Sequence, residues 1–203
     1  MFAHKQQILV IHGADSFATY EEYIEFLRNF PVTLEYIRSG KKNWKSKLQE
    51  QLGEKCEVLL PSMPNKSNAK YLEWKIWFEK YIPLLEDGVI LVGHSMGGVF
   101  LAKYLSEVIA PITIRATFLI AAPFDKDDGR SLVEFNVTTP LTKLEGQGGQ
   151  IFLYHSKDDS VVDFSEFEKY QAALPGAHVR IFKDRDHFAC EELPEILEDI
   201  RSL

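Results

Sequence analysis

The segment that most constrains the fold lies near the middle of the chain. An uninterrupted apolar run, Val89-Ile90-Leu91-Val92, enters Gly93-His94-Ser95-Met96-Gly97-Gly98 and continues as Val99-Phe100-Leu101-Ala102, with Tyr104 and Leu105 behind it. A short apolar run bounded by a glycine turn reads as a strand buried on both faces, as in a parallel sheet covered by helices. The residues after the turn predict a helix over 96–109. In a strand that passes into a helix through G-x-S-x-G, the serine sits on a very tight, strained turn. Positions 93 and 97 then lie against neighbouring backbone, where a Cβ would collide. The hydroxyl of Ser95 stands clear of the sheet, beside the first N–H groups of the helix and the positive end of its dipole. The competing reading is a glycine-rich turn whose serine merely caps the helix.

The rest of the chain repeats this alternation. Strands are predicted over 7–11, 57–60, 89–92, 117–120, 151–154 and 179–182. Helices are predicted over 20–30, 44–52, 69–85, 96–109, 165–174 and 191–203. Leu72, Ile76 and Phe78 mark the apolar face of the third helix, and Pro83 disturbs its last turn. Residues 126–150, with Gly146, Gly148 and Gly149, read as a flexible loop too short for a large cap. No repeat or linker divides the 203 residues, of which 45% are hydrophobic. The expectation is therefore one α/β domain over 1–203, a doubly wound and mainly parallel sheet of about six strands. In such sheets, sites form at the carboxyl ends of the strands.

A serine hydroxyl is a weak nucleophile until a base takes its proton, and the base needs a partner that fixes its tautomer. On an elbow of this kind the partners follow in the order nucleophile, acid, base. That order removes His4, His12 and His94 as the base, and His94 is read as a packing or supporting residue because successive side chains on a tight turn point apart. Of His155, His178 and His187, only His187 occupies a loop after the last strand, in Lys183-Asp184-Arg185-Asp186-His187-Phe188. The acid belongs in the loop after the preceding strand, His155-Ser156-Lys157-Asp158-Asp159-Ser160-Val161-Val162. Asp159 is the first choice, because Val161 and Val162 pack the loop down beside it, and Asp158 is the second. An oxyanion would take one backbone N–H from Met96 and another from the loop after the first strand, His12-Gly13-Ala14-Asp15. Ala14 is the choice there, with Asp15 as the alternative.

Composition excludes other classes. A net charge of −7 disfavours nucleic acid and anionic membrane. The basic run Lys41, Lys42, Lys45, Lys47 reads as a solvated helix face. Cys56 and Cys190 make neither a disulfide framework nor a metal set. There is no G-x-G-x-x-G after the first strand and no G-x-x-x-x-G-K-[ST], so no dinucleotide or nucleotide chemistry is indicated. No apolar stretch approaches the roughly 20 residues of a membrane helix, and the run over 8–11 is too short for a signal-peptide core. A cytoplasmic location is the expectation.

These residues together carry a family resemblance. The segments 8–13 and 93–98, Asp158-Asp159-Ser160-Val161-Val162 and His187-Phe188 resemble those of the α/β-hydrolase superfamily. The small size, Leu60-Pro61-Ser62-Met63-Pro64-Asn65 followed by Trp74, and Ala121-Ala122-Pro123-Phe124 are similar to the small serine hydrolases of the retinoblastoma-binding-protein-9/YdeN type. The resemblance spans nearly the whole chain except about residues 15–43. It implies an active serine, aspartate and histidine at Ser95, Asp159 and His187, ester-hydrolase activity on a small acyl substrate, and no cofactor or metal. One departure stands out. In that group the His-Gly turn is soon followed by a Trp-bearing helix, aligned here with 44–52, whereas about 30 residues intervene in this chain. They read equally as a lid over Ser95, lined by Tyr20, Tyr23, Phe26 and Phe30, and as an extra helix packed on the sheet. The expected chemistry is two-step acyl transfer, rising with pH through about 6.5 as the base becomes neutral. The rival readings are a binding module of weak or absent activity, and an acyltransferase or peptidase using the same three residues.

Overall fold

The computed structural model describes residues 5–34, 43–127 and 130–203; His4, Lys41, Lys42 and part of the 15–43 segment lie outside the described residues. In chain order the strands are β1 (Gln6–Ile11), β2 (Cys56–Leu59), β3 (Val89–His94), β4 (Ile114–Ile120), β5 (Lys126–Asp127), β6 (Arg130–Ser131), β7 (Gln150–Ser156) and β8 (His178–Phe182). Six of them form one sheet in the order β2-β1-β3-β4-β7-β8, and every pairing in it is parallel. All six predicted strands are present, within three residues at their ends. The helices are α1 (Tyr20–Asn29), α2 (Trp44–Leu52), α3 (Tyr71–Tyr81), α4 (Met96–Glu107), α5 (Thr142–Gln147), α6 (Phe164–Ala173) and α7 (Pro194–Ser202).

The period-2 alternation of a strand splits each apolar run between two cores. Leu9, Ile11, Leu91, Leu119 and Leu153 face α3, α4, α5 and α6, where Trp74, Phe78, Phe100, Leu144 and Phe167 pack. Ile8, Val10, Ile90, Val92, Phe118 and Phe152 face α2 and α7, against Trp44, Leu48, Ile196 and Ile200. Helices therefore cover both faces, which is why these strands read as continuous rather than alternating.

The chain moves from β1 outward to β2, then returns to the other side of β1 to lay down β3. The direction of winding reverses between β1 and β3, whose carboxyl ends lie side by side with Ile11 opposite Gly93. A crevice opens at such a reversal, outside the strand ends.

Two expectations about elements need correction. The buried residues of α3 are Trp74 and Phe78, whereas Leu72 and Ile76 are 62% and 51% exposed. Counting apolar residues chose the wrong stripe, because Trp74 has the larger apolar surface and its indole N–H reaches the carbonyl of Pro64 at 2.8 Å. Pro83 does end the helix, which tightens into a 3-10 turn over Ile82–Leu84. Second, residues 126–150 are not a plain flexible loop. They hold the β5–β6 ribbon, a 3-10 turn over Val133–Phe135 and α5, and they bury Leu132, Phe135, Leu141 and Leu144. Gly149 serves close approach: it has φ +67°, and a Cβ there would stand 2.2 Å from the carbonyl oxygen of Arg115.

Candidate active site

β3 delivers His94 and then Ser95, whose backbone has φ 55° and ψ −122°, a left-handed conformation strained for a residue with a Cβ. The turn closes because its glycines leave room. A Cβ on Gly93 would lie 2.5 Å from the oxygen of Gly97, and one on Gly97 would lie 2.3 Å from the oxygen of Ile11. The amide of Ser95 donates to the carbonyl of Ile120 at 2.8 Å, which ties the turn to β4. Its side chain makes no capping hydrogen bond to α4, so the capping reading does not describe this serine.

Gly13, at the end of β1, closes the other side of the crevice. A Cβ on it would meet Ser95 Cβ at 3.1 Å and His94 Nδ1 at 3.6 Å. The following loop is stitched to residues 66–70. Asp15 N–H donates to Lys66 O at 2.9 Å, Ala69 N–H to Asp15 O at 2.7 Å, and Ser16 Oγ to Ala69 O at 3.0 Å. The Asp15 amide is thereby occupied. Among the described residues, neither the Ala14 N–H nor the Met96 N–H has a protein acceptor. His12 braces the same loop. Its Nδ1–H donates to Gly13 O at 2.8 Å, and its Nε2 accepts from Met63 N–H at 2.9 Å.

The loops after β7 and β8 meet beside the elbow. His187 Nδ1 lies 3.0 and 3.1 Å from the two carboxylate oxygens of Asp159. A carboxylate only accepts, so Nδ1 carries the proton and Nε2 is left bare. The Asp159 side chain has 0% exposure, and its Oδ1 also accepts the N–H groups of Val161 and Val162, both at 2.9 Å. Asp158 has a different task. It accepts from Ser156 Oγ, and at 3.1 Å from the Asp186 amide. Asp186 in turn accepts from the N–H and Oγ of Ser160, at 2.9 and 2.7 Å, and these bonds hold its carboxyl below the usual range. His187 is flanked by two residues at positive φ, Asp186 at 43° and Phe188 at 53°, so it sits at the crest of a strained arch.

The arch is held from behind. Phe188 is fully buried, and its carbonyl accepts from the Trp44 indole N–H at 3.1 Å. The Trp44 amide donates to Cys190 O at 3.2 Å, and Lys47 pairs with Glu191 and Glu192 at 3.1 and 3.4 Å. His94 Nε2 lies 2.9 Å from the carbonyl oxygen of His187, and the two rings are 5.1 Å apart between centroids. Lys45 Nζ lies 3.2 Å from His94 Nδ1. Lys45 thus turns inward to His94, whereas Lys47 stays on the helix surface in ion pairs with exposed glutamates, so the reading of a solvated face fails for Lys45. The sequence signal for Lys45 was the alternation of β3, which carried past Val92 puts His94 on the α2 side.

Three histidines are held neutral around this centre. Burial holds His94 well below the ordinary imidazole value, and the Lys45 ammonium lowers it further. Burial lowers His12 despite its hydrogen bond to Gly13, and lowers His155 despite its bond to the Val162 carbonyl. His155 Nε2 stands 3.9 Å from Asp159 Oδ2, and His178 stacks on Phe152. Ser95, His187, Asp159, Met96 and Ala14 therefore gather at the carboxyl ends of β1, β3, β7 and β8. Among the described residues Ser95 Oγ makes no hydrogen bond, to His187 included. Nucleophile–base contacts are often long without substrate and tighten when it binds. No three His, Cys, Asp or Glu side chains among the described residues make a metal-holding group, and no helix among them is long and apolar enough to cross a membrane.

Residues 34–199 match the model of a family described as serine hydrolase. The chain belongs to the serine hydrolase family. The match takes in Ser95, Asp159, His187 and Met96, and leaves Ala14 and α1 outside it. Solved structures agree with this serine hydrolase in fold. The ydeN gene product of Bacillus subtilis is 18% identical with a TM-score of 0.69, and the match covers 98% of each chain. A carboxylesterase of the thaumarchaeon Nitrososphaera gargenis is 13% identical at 0.60, over 98% of this chain and 90% of that one. The thioesterase domain from the curacin biosynthetic pathway is 11% identical at 0.63, over 98% and 92%. A search of curated proteins finds no match to the chain.

Proposed function

We propose that this serine hydrolase cleaves carboxylic esters through an acyl-serine intermediate. The observation that carries the reading is the fully buried Asp159 carboxylate paired to His187 Nδ1 on the arch beside a strained, uncapped Ser95. That pairing leaves Nε2 of His187 as the free basic atom. In the proposed reaction Nε2 takes the proton of Ser95 Oγ as the oxygen attacks the ester carbonyl. Asp159 stabilises the imidazolium. The carbonyl oxygen, now an anion, accepts from the Met96 and Ala14 amides. His187 returns the proton to the departing alcohol, and the same base then activates water to release the acid.

Helix α1 completes the proposal as a lid. It leaves the loop that abuts Ser95, and none of its residues is buried. Its aromatic stripe rests on Phe17, which is 6% exposed and 5.0 Å from Phe26 and 5.6 Å from Tyr23 between centroids. A surface helix with no buried residue can lift at low cost.

The test is a series of p-nitrophenyl esters of increasing acyl length, followed by intact-mass and peptide analysis after rapid quenching. The expected result is saturable turnover and an acyl adduct on Ser95, both lost in Ser95→Ala. A folded wild type that turns over none of them would contradict the reading. Thioester and amide analogues of the best substrate define the leaving group.

A further inference from the structure

We propose that Lys45 and His94 form a positioning pair that sets where His187 stands relative to Ser95. This inference rests on the hydrolase reading above. His94 is covalently next to the proposed nucleophile, and its ring reaches the backbone carbonyl of the proposed base. One imidazole therefore spans the two reacting residues.

The hydrogen bonds dictate how it works. A carbonyl can only accept, so Nε2 of His94 must carry the proton it gives to His187 O at 2.9 Å. An ammonium can only donate, so Nδ1 must be the bare nitrogen that receives Lys45 Nζ at 3.2 Å. Lys45 thus selects the one tautomer that can hold the His187 carbonyl. In the other tautomer a lone pair would face that carbonyl and the bond would be lost. Protonation of His94 would set a second N–H against the ammonium. The groups facing His94 are Lys45 from α2, His187 from the arch and His12 from the β1 loop; burial and the charges of all three oppose its charging, and the bond to the His187 carbonyl favours it more weakly.

The arch needs such a hold. Its backbone is strained on both sides of His187, at Asp186 and Phe188. Asp159 fixes the ring of His187, Trp44 the carbonyl of Phe188, Asp186 the amide of His187 and Arg185 the amide of Phe188, while His94 holds the carbonyl of His187 from the side of Ser95. Ser95 and His187 share no hydrogen bond, so the His94 ring is the direct bridge between them and contributes to their separation. A misplacement of about 1 Å at reacting groups can cost on the order of 100-fold in rate.

The experiment compares wild type, His94→Phe, His94→Gln and Lys45→Met in kcat, KM and the rate of fluorophosphonate labelling, with 15N NMR of the imidazoles. His94→Phe keeps the ring volume and loses both bonds; kcat and labelling should fall about tenfold or more with KM within about twofold. His94→Gln, whose amide can still donate to the carbonyl, should recover part of that loss. Lys45→Met, the variant least able to disturb folding, should lower kcat several-fold. It should also convert His94 from a single Nε2–H tautomer to a mixture. Wild-type labelling with unchanged rates in His94→Phe and Lys45→Met would overturn the pair alone, as would a single tautomer surviving in Lys45→Met. A wild type that does not label would overturn the hydrolase reading and this one with it.

Discussion

Asp158 and Asp159 are adjacent and chemically alike, and the fold gives them opposite tasks. Asp159 turns inward to two backbone amides and His187; Asp158 turns to Ser156 and the Asp186 amide, stapling the two loops together. On the proposed reaction, Asp159→Asn should lower kcat by about 10³-fold or more with little change in KM, because His187 loses the partner that fixes its tautomer and its counter-charge. Asp158→Asn should cost far less activity and show its effect mainly as a lower Tm, by a few degrees. Steady-state kinetics and thermal melts on both variants check this. That Asp159 rather than Asp158 would be held inward was legible in the sequence because the valines that follow pack the loop. Lys45 was not: its partner lies 49 residues away, and nothing local separates an inward lysine from a solvated one.

The elbow, β3 and α4 act as one element, and its glycines are steric requirements. Gly97→Ala would drive a Cβ to 2.3 Å from Ile11 O and 2.8 Å from His12 O, both backbone atoms of the neighbouring strand end. It should cost several kcal/mol or prevent folding. Gly146→Ala, inside α5 with nothing within 4 Å of the new Cβ, should instead stabilise by about 0.5–1 kcal/mol. Denaturant titrations of the pair read this contrast. The strands and the elbow were legible because a buried run can be read without knowing its neighbours. The buried stripe of α3 and the order within 126–150 were not, since both depend on which core each apolar residue meets. Helix α1 was legible as a helix, with Thr19 and Glu22 forming its capping box. If it is a lid, Phe17→Ala should speed proteolysis at α1 and change the preference for acyl length while Tm moves little.

At the scale of the whole molecule, the reversal of winding between β1 and β3 brings Gly13 against Ser95 from a segment 82 residues earlier. No sequence motif encodes that meeting; it follows from strand order. The same packing buries His94 and His155 and half-buries His12, and desolvation lowers the pKa of all three. The unfolded chain binds protons at these sites near pH 6.5 while the folded chain does not. Their stabilisation is therefore complete above about pH 6.5 and is lost as pH falls below it, at up to about 1.4 kcal/mol per pH unit for each histidine. Tm measured from pH 8 to pH 5 should fall below pH 6.5, before the lowered carboxyls of Asp163, Asp186 and Asp199 take up protons. A flat Tm across that interval would contradict the neutral, buried assignment.

Whether Ser95 is an activated nucleophile is read by a fluorophosphonate probe, which bonds only to such a serine. Stoichiometric labelling of the wild type is expected, mapped to the peptide that contains Ser95, with none in Ser95→Ala and strongly slowed labelling in Asp159→Asn. A folded wild type that stays unlabelled, or a label that persists in Ser95→Ala, would contradict that activation.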